Sequence, residues 1–201
     1  MFKLLTVIAN WIFPESKEAS LLKENQTDIK ELYRGHYINN VIFLSNYKNP
    51  LIKAAIKENK FHNNQTATNL LARLLESWLK DQPNNLVFIP IPLSKKRQRM
   101  RGYNQVTKVL TGTKYSLSIN EDILIRKSDT KPQSGLTKTD REQNVKNCFI
   151  CKNKKLNELK DVTIVIVDDV ITTGATMNEA RATLAPHLPS SVKLICLSIA
   201  H

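Results

Sequence analysis

The sequence predicts an α/β fold built on a parallel, doubly wound sheet with a small N-terminal appendage. Three observations carry this expectation. From residue 41 onward short apolar stretches alternate with stretches of helical period, the pattern of βα units. Val162–Val167 is a continuous apolar run, as a strand buried on both faces of a parallel sheet requires. Leu86–Ile91 ends in Pro90-Ile91-Pro92, where proline cannot extend a ladder and a loop must begin.

The elements follow in order. Met1–Phe13 is mostly apolar and ends at Pro14. It is shorter than the ~20 residues that span a bilayer and lacks a small-residue cleavage site, so a helix packed on the body or docking a partner is expected. Residues 15–40 are polar and poorly periodic and read as a linker or loosely packed cap. With 201 residues the chain suits one domain, divided as 1–40, a helix and polar cap, and 41–201, the main domain.

Val41–Leu44 is a strand. Asn49-Pro50 opens a helix, asparagine as N-cap and proline at its first position, with Leu51, Ile52, Ala55 and Ile56 apolar. Leu70, Leu71, Leu74, Leu75, Trp78 and Leu79 mark the apolar face of the next helix, which Asp81-Gln82-Pro83 stops. Asn104 caps a helix that buries Val106, Val109 and Leu110. Ile123–Ile125 is a further strand of the alternation, Thr130 to Arg141 is a loop, a helix runs from about Thr176 to Ala185, and Val192–Ile199 is the last strand. In such sheets ligands bind beyond the carboxyl ends of the strands, which directs attention to the residues after Ile91, Ile125, Val167 and Ile199.

The net charge of +12 and a pI near 9.7 attract polyanions: nucleic acid, acidic lipid surfaces or multiply phosphorylated small molecules. The five glycines are too dispersed for a G-x-G-x-x-G fingerprint, and no G-x-x-x-x-G-K-[ST] occurs, so dinucleotide-binding and P-loop chemistry have no sequence support. Three cysteines fit a reducing compartment. Cys148 and Cys151 have redox or zinc-ligand spacing, but no second pair completes a zinc site, and Asn147–Cys151 reads as an apolar strand with cysteine as a small core residue. No other stretch approaches membrane length, so a cytoplasmic protein is expected.

The chemistry concentrates where Val162–Val167 runs into Asp168-Asp169, then Val170-Ile171 and Thr172-Thr173-Gly174-Ala175-Thr176 before a helix. Two carboxylates at a strand end can accept hydrogen bonds from a vicinal diol such as ribose O2 and O3. Successive backbone N–H groups in a tight Thr/Gly turn form an anion-binding nest, and a helix start adds unpaired N–H groups. Gly174 lets the backbone approach a phosphate without a Cβ.

Ile164 to Thr176 resembles the phosphoribosyl pyrophosphate motif of type I phosphoribosyltransferases. Ile89-Pro90-Ile91-Pro92-Leu93-Ser94 followed by Arg101-Gly102-Tyr103-Asn104-Gln105 resembles the signature of the ComF family, as do Arg126, Thr130, Gln133, Leu136, Arg141, Asn144 and Phe149. Tyr47, Ile52, Lys57 and Lys60-Phe61 are similar to that family's upstream segment. The resemblance spans about residues 40–200 and implies a sheet of the type I phosphoribosyltransferase kind, and it implies roles. Asp168 and Asp169 would hold the ribose hydroxyls, and Thr172, Thr173, Gly174, Ala175 and Thr176 the 5-phosphate. Pro92, Leu93, Ser94, Lys95, Arg97 and Arg101 would face the pyrophosphate, with Lys96 and Arg99 nearby. Arg126, Gln133 and Arg141 would belong to a flap. Mg²⁺ would be held through the ligand and not directly by the protein, with Asp168 and Asp169 as the candidates for any direct contact. Many ComF-like proteins begin with a four-cysteine zinc module; here no cysteine precedes Cys148, so no zinc is expected.

Three functions follow from that resemblance. One is a phosphoribosyltransferase-like protein of DNA uptake, with Arg101 and Arg141 as candidate catalytic residues and no nameable general base among His36, His62, His187 and His201. Another is a non-catalytic sensor of phosphoribosyl pyrophosphate that binds single-stranded DNA and the uptake machinery. The third is nucleobase salvage.

Overall fold

The computed structural model describes residues 16–127, 145–152, 156 and 159–201. The elements are α1 (Lys17–Glu24), α2 (Ile29–Leu32), β1 (His36–Ile38), β2 (Val41–Ser45), α3 (Pro50–Phe61), α4 (Gln65–Leu79), β3 (Leu86–Pro90), α5 (Lys95–Arg101), α6 (Gln105–Thr111), β4 (Ser118–Ile119), β5 (Leu124–Arg126), β6 (Phe149–Cys151), β7 (Thr163–Val170), α7 (Ala175–Leu184) and β8 (Lys193–Ala200).

The main sheet has the order β1-β2-β8-β7-β3-β4. Only the β1–β2 hairpin is antiparallel; every other pairing is parallel. The hairpin turn is Asn39-Asn40, both at positive φ, the geometry that lets a two-residue loop follow the twist of its strands. Helices cover both faces. On one face Val165 and Val167 of β7 and Phe88 of β3 join a core with α3, α4 and α6. On the other, Ile164 and Ile166 meet Met177, Ala180 and Leu184 of α7. This is the doubly wound α/β architecture expected, and successive residues of β7 alternate between the two cores as period-2 side chains must.

Three sequence expectations change. Ile123–Ile125 does not join the parallel sheet: Leu124–Arg126 pairs antiparallel with Phe149–Cys151 in a separate two-stranded sheet. Its inward side chains, Leu124 and Phe149, fill the α7-side core, so the same apolar signal served a different partner. The basic stretch after Pro92, expected as a loop, is helix α5. Ser94 caps it, accepting a hydrogen bond from the Arg97 N–H at 3.3 Å. The polar segment before residue 41 is, over residues 16–38, built into the body. Leu22 and Leu32 enter the α3-side core, Ser16 donates to the buried Glu58 at 2.6 Å, and Glu18 pairs with Lys57 at 2.8 Å.

Cys148 is fully buried among apolar neighbours, and burial raises its thiol pKa, as expected of a core cysteine. Trp78 packs in the α4 core. Met1–Phe13, Thr130, Gln133, Leu136, Arg141 and Asn144 lie outside the described residues. Among the described residues no helix is long and apolar enough to cross a membrane.

Candidate functional site

The site forms where β3 and β7 end side by side. Their register pairs Pro90 with Val167, and the Ile91 N–H donates to the Val167 carbonyl at 2.9 Å. The two following segments, Pro92 onward and Asp168 onward, therefore open into one cavity. Its lining draws Lys60 from α3, Ile91 to Leu93, Arg97 and Arg101 from α5, Gln105 from α6, Arg126 from β5, and the whole stretch Asp168–Met177.

β7 continues through Val170, because β8 extends to Ala200 and pairs with it. The two aspartates are thus strand residues, and their carboxyl groups stay within hydrogen-bonding reach of each other in the one cavity. Asp168 is half-buried. Asp169 lies on the α3–α6 side and is buried. There its Oδ2 accepts from Gln105 Nε2 at 3.3 Å and faces Lys60 Nζ at 3.5 Å. Its Oδ1 accepts from the Val170 N–H at 3.0 Å, while Asp168 Oδ1 accepts from the Asp169 N–H at 2.9 Å.

Burial and then the Asp169 charge raise the Asp168 pKa well above that of an ordinary carboxyl. Burial also works to raise that of Asp169. The Lys60 ammonium and the hydrogen bonds that reach Asp169 outweigh it, and its pKa falls below the ordinary value.

Past Val170 the chain turns at Thr172–Gly174. Gly174 sits at φ 79°, and a Cβ there would meet only Asn178 at 3.5 Å. Glycine is required by the backbone angle, not by crowding. α7 then starts with no side-chain cap. Among the described residues each of the other six α-helices starts on a capping side chain: Ser16, Asp28, Asn49, Asn64, Ser94 and Asn104. The α7 terminus keeps the positive end of its dipole facing the cavity.

Arg101-Gly102-Tyr103-Asn104-Gln105 acquires a reason at each position. Arg101 ends α5 and lines the cavity, its guanidinium bonded to Gln105 Oε1. Burial pulls the Arg101 pKa down and the Asp169 charge pulls it back up. Gly102 takes φ 79° to close α5, its N–H reaching the Gln98 carbonyl. Tyr103 OH donates to the Asn59 carbonyl at 2.6 Å and accepts from the Asn63 N–H at 3.0 Å. Asn104 caps α6 and also donates to the Ile91 carbonyl at 3.0 Å. Gln105 reaches Asp169. The buried Asn59 completes the joint, donating to the Gln105 carbonyl at 3.0 Å and accepting from Thr68 at 3.0 Å.

Of the residues expected here, Asp168, Asp169, Thr172 to Thr176, Pro92, Leu93, Arg97, Arg101 and Arg126 line one cavity. Ser94 and Lys95 do not: Ser94 is buried as a cap and Lys95 is exposed. Arg126 ends β5, with its guanidinium carbon 5.4 Å from the Phe149 ring centroid. None of the four histidines lines the cavity. Sequence reasoning missed Lys60 and Gln105 as site residues. Both stood inside matched segments, and for Gln105 the signal was the Asn104 cap, which turns the next residue into the first helical position.

The phosphoribosyl transferase domain family matches residues 104–199, which contain the acidic pair and the turn. Competence protein F of Haemophilus influenzae is 36% identical over 166 residues, covering 79% of this chain and 67% of that protein. Competence protein ComFC of Bacillus subtilis is 30% identical over 138 residues, covering 68% and 54%. The DNA utilization protein YhgH of Salmonella typhimurium is 28% identical over 165 residues, covering 78% and 70%. A hypoxanthine phosphoribosyltransferase structure from Staphylococcus aureus superposes with a TM-score of 0.38 at 16% identity, over 67% of this chain and 64% of that one. With 36% identity to competence protein F over 67% of that protein, and a phosphoribosyl transferase domain at residues 104–199, the chain belongs to the ComF family.

Proposed function

We propose that the cavity binds phosphoribosyl pyrophosphate with Mg²⁺ and that the protein serves DNA uptake in natural transformation, as the name of its relative competence protein F suggests. The observation that carries the reading is the meeting of three groups in one cavity: an acidic pair, an N-terminus without a side-chain cap behind a glycine turn, and the cations Lys60, Arg97 and Arg101. The turn and the α7 dipole suit a dianionic phosphate. The aspartates suit ribose hydroxyls. The cations suit a pyrophosphate.

Among the described residues no three His, Cys, Asp or Glu side chains stand together. Asp168 and Asp169 are hard oxygen donors, and they are the residues that would hold a Mg²⁺ brought in with the ligand. Bound there, the cation would neutralise the pyrophosphate. In a transfer reaction the pyrophosphate leaves the anomeric carbon as an acceptor attacks. Arg97 and Arg101 stabilise the negative charge on the leaving group, and the acidic pair holds the sugar in place.

A second reading, a sensor that also contacts single-stranded DNA, is favoured by charge. Between Asp81 and Glu121 the chain has no acidic residue but carries Lys95, Lys96, Arg97, Arg99, Arg101, Lys108 and Lys114. The exposed Phe61 and Met100 border this stretch, and an exposed aromatic amid cations suits base stacking. Tyr103, which stands among these cations, spends its hydroxyl on Asn59 and Asn63.

The test of the first reading is calorimetry with phosphoribosyl pyrophosphate and Mg²⁺ on the wild type and on Asp168→Ala/Asp169→Ala. Binding by the wild type and its loss in the double variant are expected; equal binding by both overturns the assignment. Incubation with a panel of acceptors and assay of released pyrophosphate then separates transferase from sensor. For the sensor, DNA affinity must fall steeply with salt.

A further inference from the structure

The acidic pair is not a symmetric clamp. Asp168 is half-buried, whereas Asp169 is buried and meets α3 and α6 through Lys60 and Gln105. Asp169 is 5% exposed, and both its oxygens are engaged. Oδ1 takes the Val170 N–H, and Oδ2 takes Gln105 and the Lys60 ammonium. A sugar hydroxyl at Oδ2 must displace one of these donors.

Lys60 is the last charged residue of α3, a third exposed at its side chain, and lines the cavity. It stands with the arginines: Lys60 Nζ and the Arg101 guanidinium lie 5.9 and 5.7 Å from the same Phe61 ring centroid. Gln105 links the group, bonded to Arg101 on one side and to Asp169 on the other. Lys60, Arg101 and Gln105 are thus one cluster, on the side of the cavity that Arg97 also lines.

We propose that Lys60 is a phosphate-binding residue of this cavity, that Asp169 is the positioning residue which aims it, and that Asp168 is the carboxylate that meets the sugar. The inference rests on the reading of the cavity as a phosphoribosyl pyrophosphate site and divides the labour within it. Asp169 holds the ammonium over the cavity without a long search through lysine rotamers, and a pyrophosphate oxygen completes its donor set. The turn Thr172–Thr176 holds the 5-phosphate independently of Lys60.

The experiment compares two ligands that share the sugar and the 5-phosphate but differ in the pyrophosphate. Binding of phosphoribosyl pyrophosphate and of ribose 5-phosphate, each with Mg²⁺, is measured by calorimetry on the wild type, Lys60→Met, Lys60→Arg, Asp169→Asn, Asp168→Asn and the Lys60→Met/Asp169→Asn double variant. Thermal unfolding monitors the fold of each.

The expected result is selective. Lys60→Met weakens phosphoribosyl pyrophosphate roughly tenfold or more, the usual scale for a charge-assisted contact, and leaves ribose 5-phosphate within about twofold. Lys60→Arg restores most of the loss. Asp169→Asn follows Lys60→Met, and the double variant is no weaker than the single ones, because both remove one device. Asp168→Asn weakens both ligands.

Two results overturn this assignment alone. One is equal weakening of both ligands by Lys60→Met, or none. The other is an Asp169→Asn that loses ribose 5-phosphate as fully as Asp168→Asn does. A wild type that binds neither ligand overturns the reading of the cavity and this assignment together.

Discussion

The two sides of the cavity are built in different ways. One side is a single run of chain, Asp168 to Met177, in which strand, turn and helix start follow without interruption. The other gathers Lys60 from α3, Arg97 and Arg101 from α5 and Gln105 from α6, held by Asn59, Tyr103 and Asn104. The first depends on local backbone angles, with Gly174 at φ 79° as the demanding one. The second depends on three helices docking in the right places, and its polar joint is buried. A contiguous side breaks by a local conformational fault and spares the rest. A gathered side breaks by losing a joint, and should lose stability and ligand affinity together.

The sharpest way to break the contiguous side is Gly174→Val. A β-branched residue at positive φ is strained by roughly 1–2 kcal/mol, and relief of that strain reorients the N–H groups of the turn. Affinity for both ribose 5-phosphate and phosphoribosyl pyrophosphate is expected to fall by about a hundredfold or more, with a comparatively small drop in Tm. Calorimetry alongside differential scanning calorimetry reads both. Preserved affinity for ribose 5-phosphate would remove the turn from the phosphate site.

Asn59→Ala is the corresponding lesion in the gathered side. It leaves the Gln105 carbonyl and the Thr68 hydroxyl without this buried partner, at a cost of about 2–3 kcal/mol in urea unfolding. The released α3–α6 joint should weaken phosphoribosyl pyrophosphate more than ribose 5-phosphate. Equal losses for the two ligands would mean that the two sides are not separable.

The acidic pair joins the sides, and pH distinguishes its members. Asp168 has its pKa raised above the ordinary 3.8, so the stability it contributes is present below the unfolded value and is lost as pH rises through the folded one. Asp168→Asn is therefore expected to raise Tm at pH 7 by roughly 2–4 °C, a gain that disappears near pH 4. Asp169 has its pKa lowered, so its contribution is present above the unfolded value and is lost as pH falls through the folded one. Asp169→Asn should lower Tm at pH 7, a deficit that narrows in acid. Scanning calorimetry across this range decides, and same-sign shifts for the two variants would contradict the asymmetry.

The smallest effect is expected at Arg99, which is exposed on α5 and does not line the cavity. Arg99→Ala should change stability by less than about 0.5 kcal/mol and leave both ligands unaffected, while lowering the salt slope of any DNA binding by about one unit. A loss of phosphoribosyl pyrophosphate affinity would extend the cavity along α5.

Much of this was legible in the residues. Asn49-Pro50, Asn104 and the 162–167 run announced their elements, because capping and burial of a continuous apolar strand are local events. The edge strands Ser118–Ile119 and His36–Ile38 were not legible: two- and three-residue strands carry no period, and neighbours supply their pairing. Ile123–Ile125 was read as a strand of the main sheet; the strand is Leu124–Arg126 and pairs elsewhere, since an apolar stretch does not say which partner covers it.

The sequence by itself determined that a strand, two carboxylates, a glycine turn and a helix start follow one another, because each needs only the chemistry of adjacent residues. Tertiary structure alone decided that β7 runs on through the acidic pair, that Asp169 faces the α3–α6 side, and that Lys60 and Gln105 meet it there. The physical reason is the range of the forces. Backbone angles and caps act within a few residues, whereas an ammonium reaches a buried carboxylate only after the core between sheet and helices has packed.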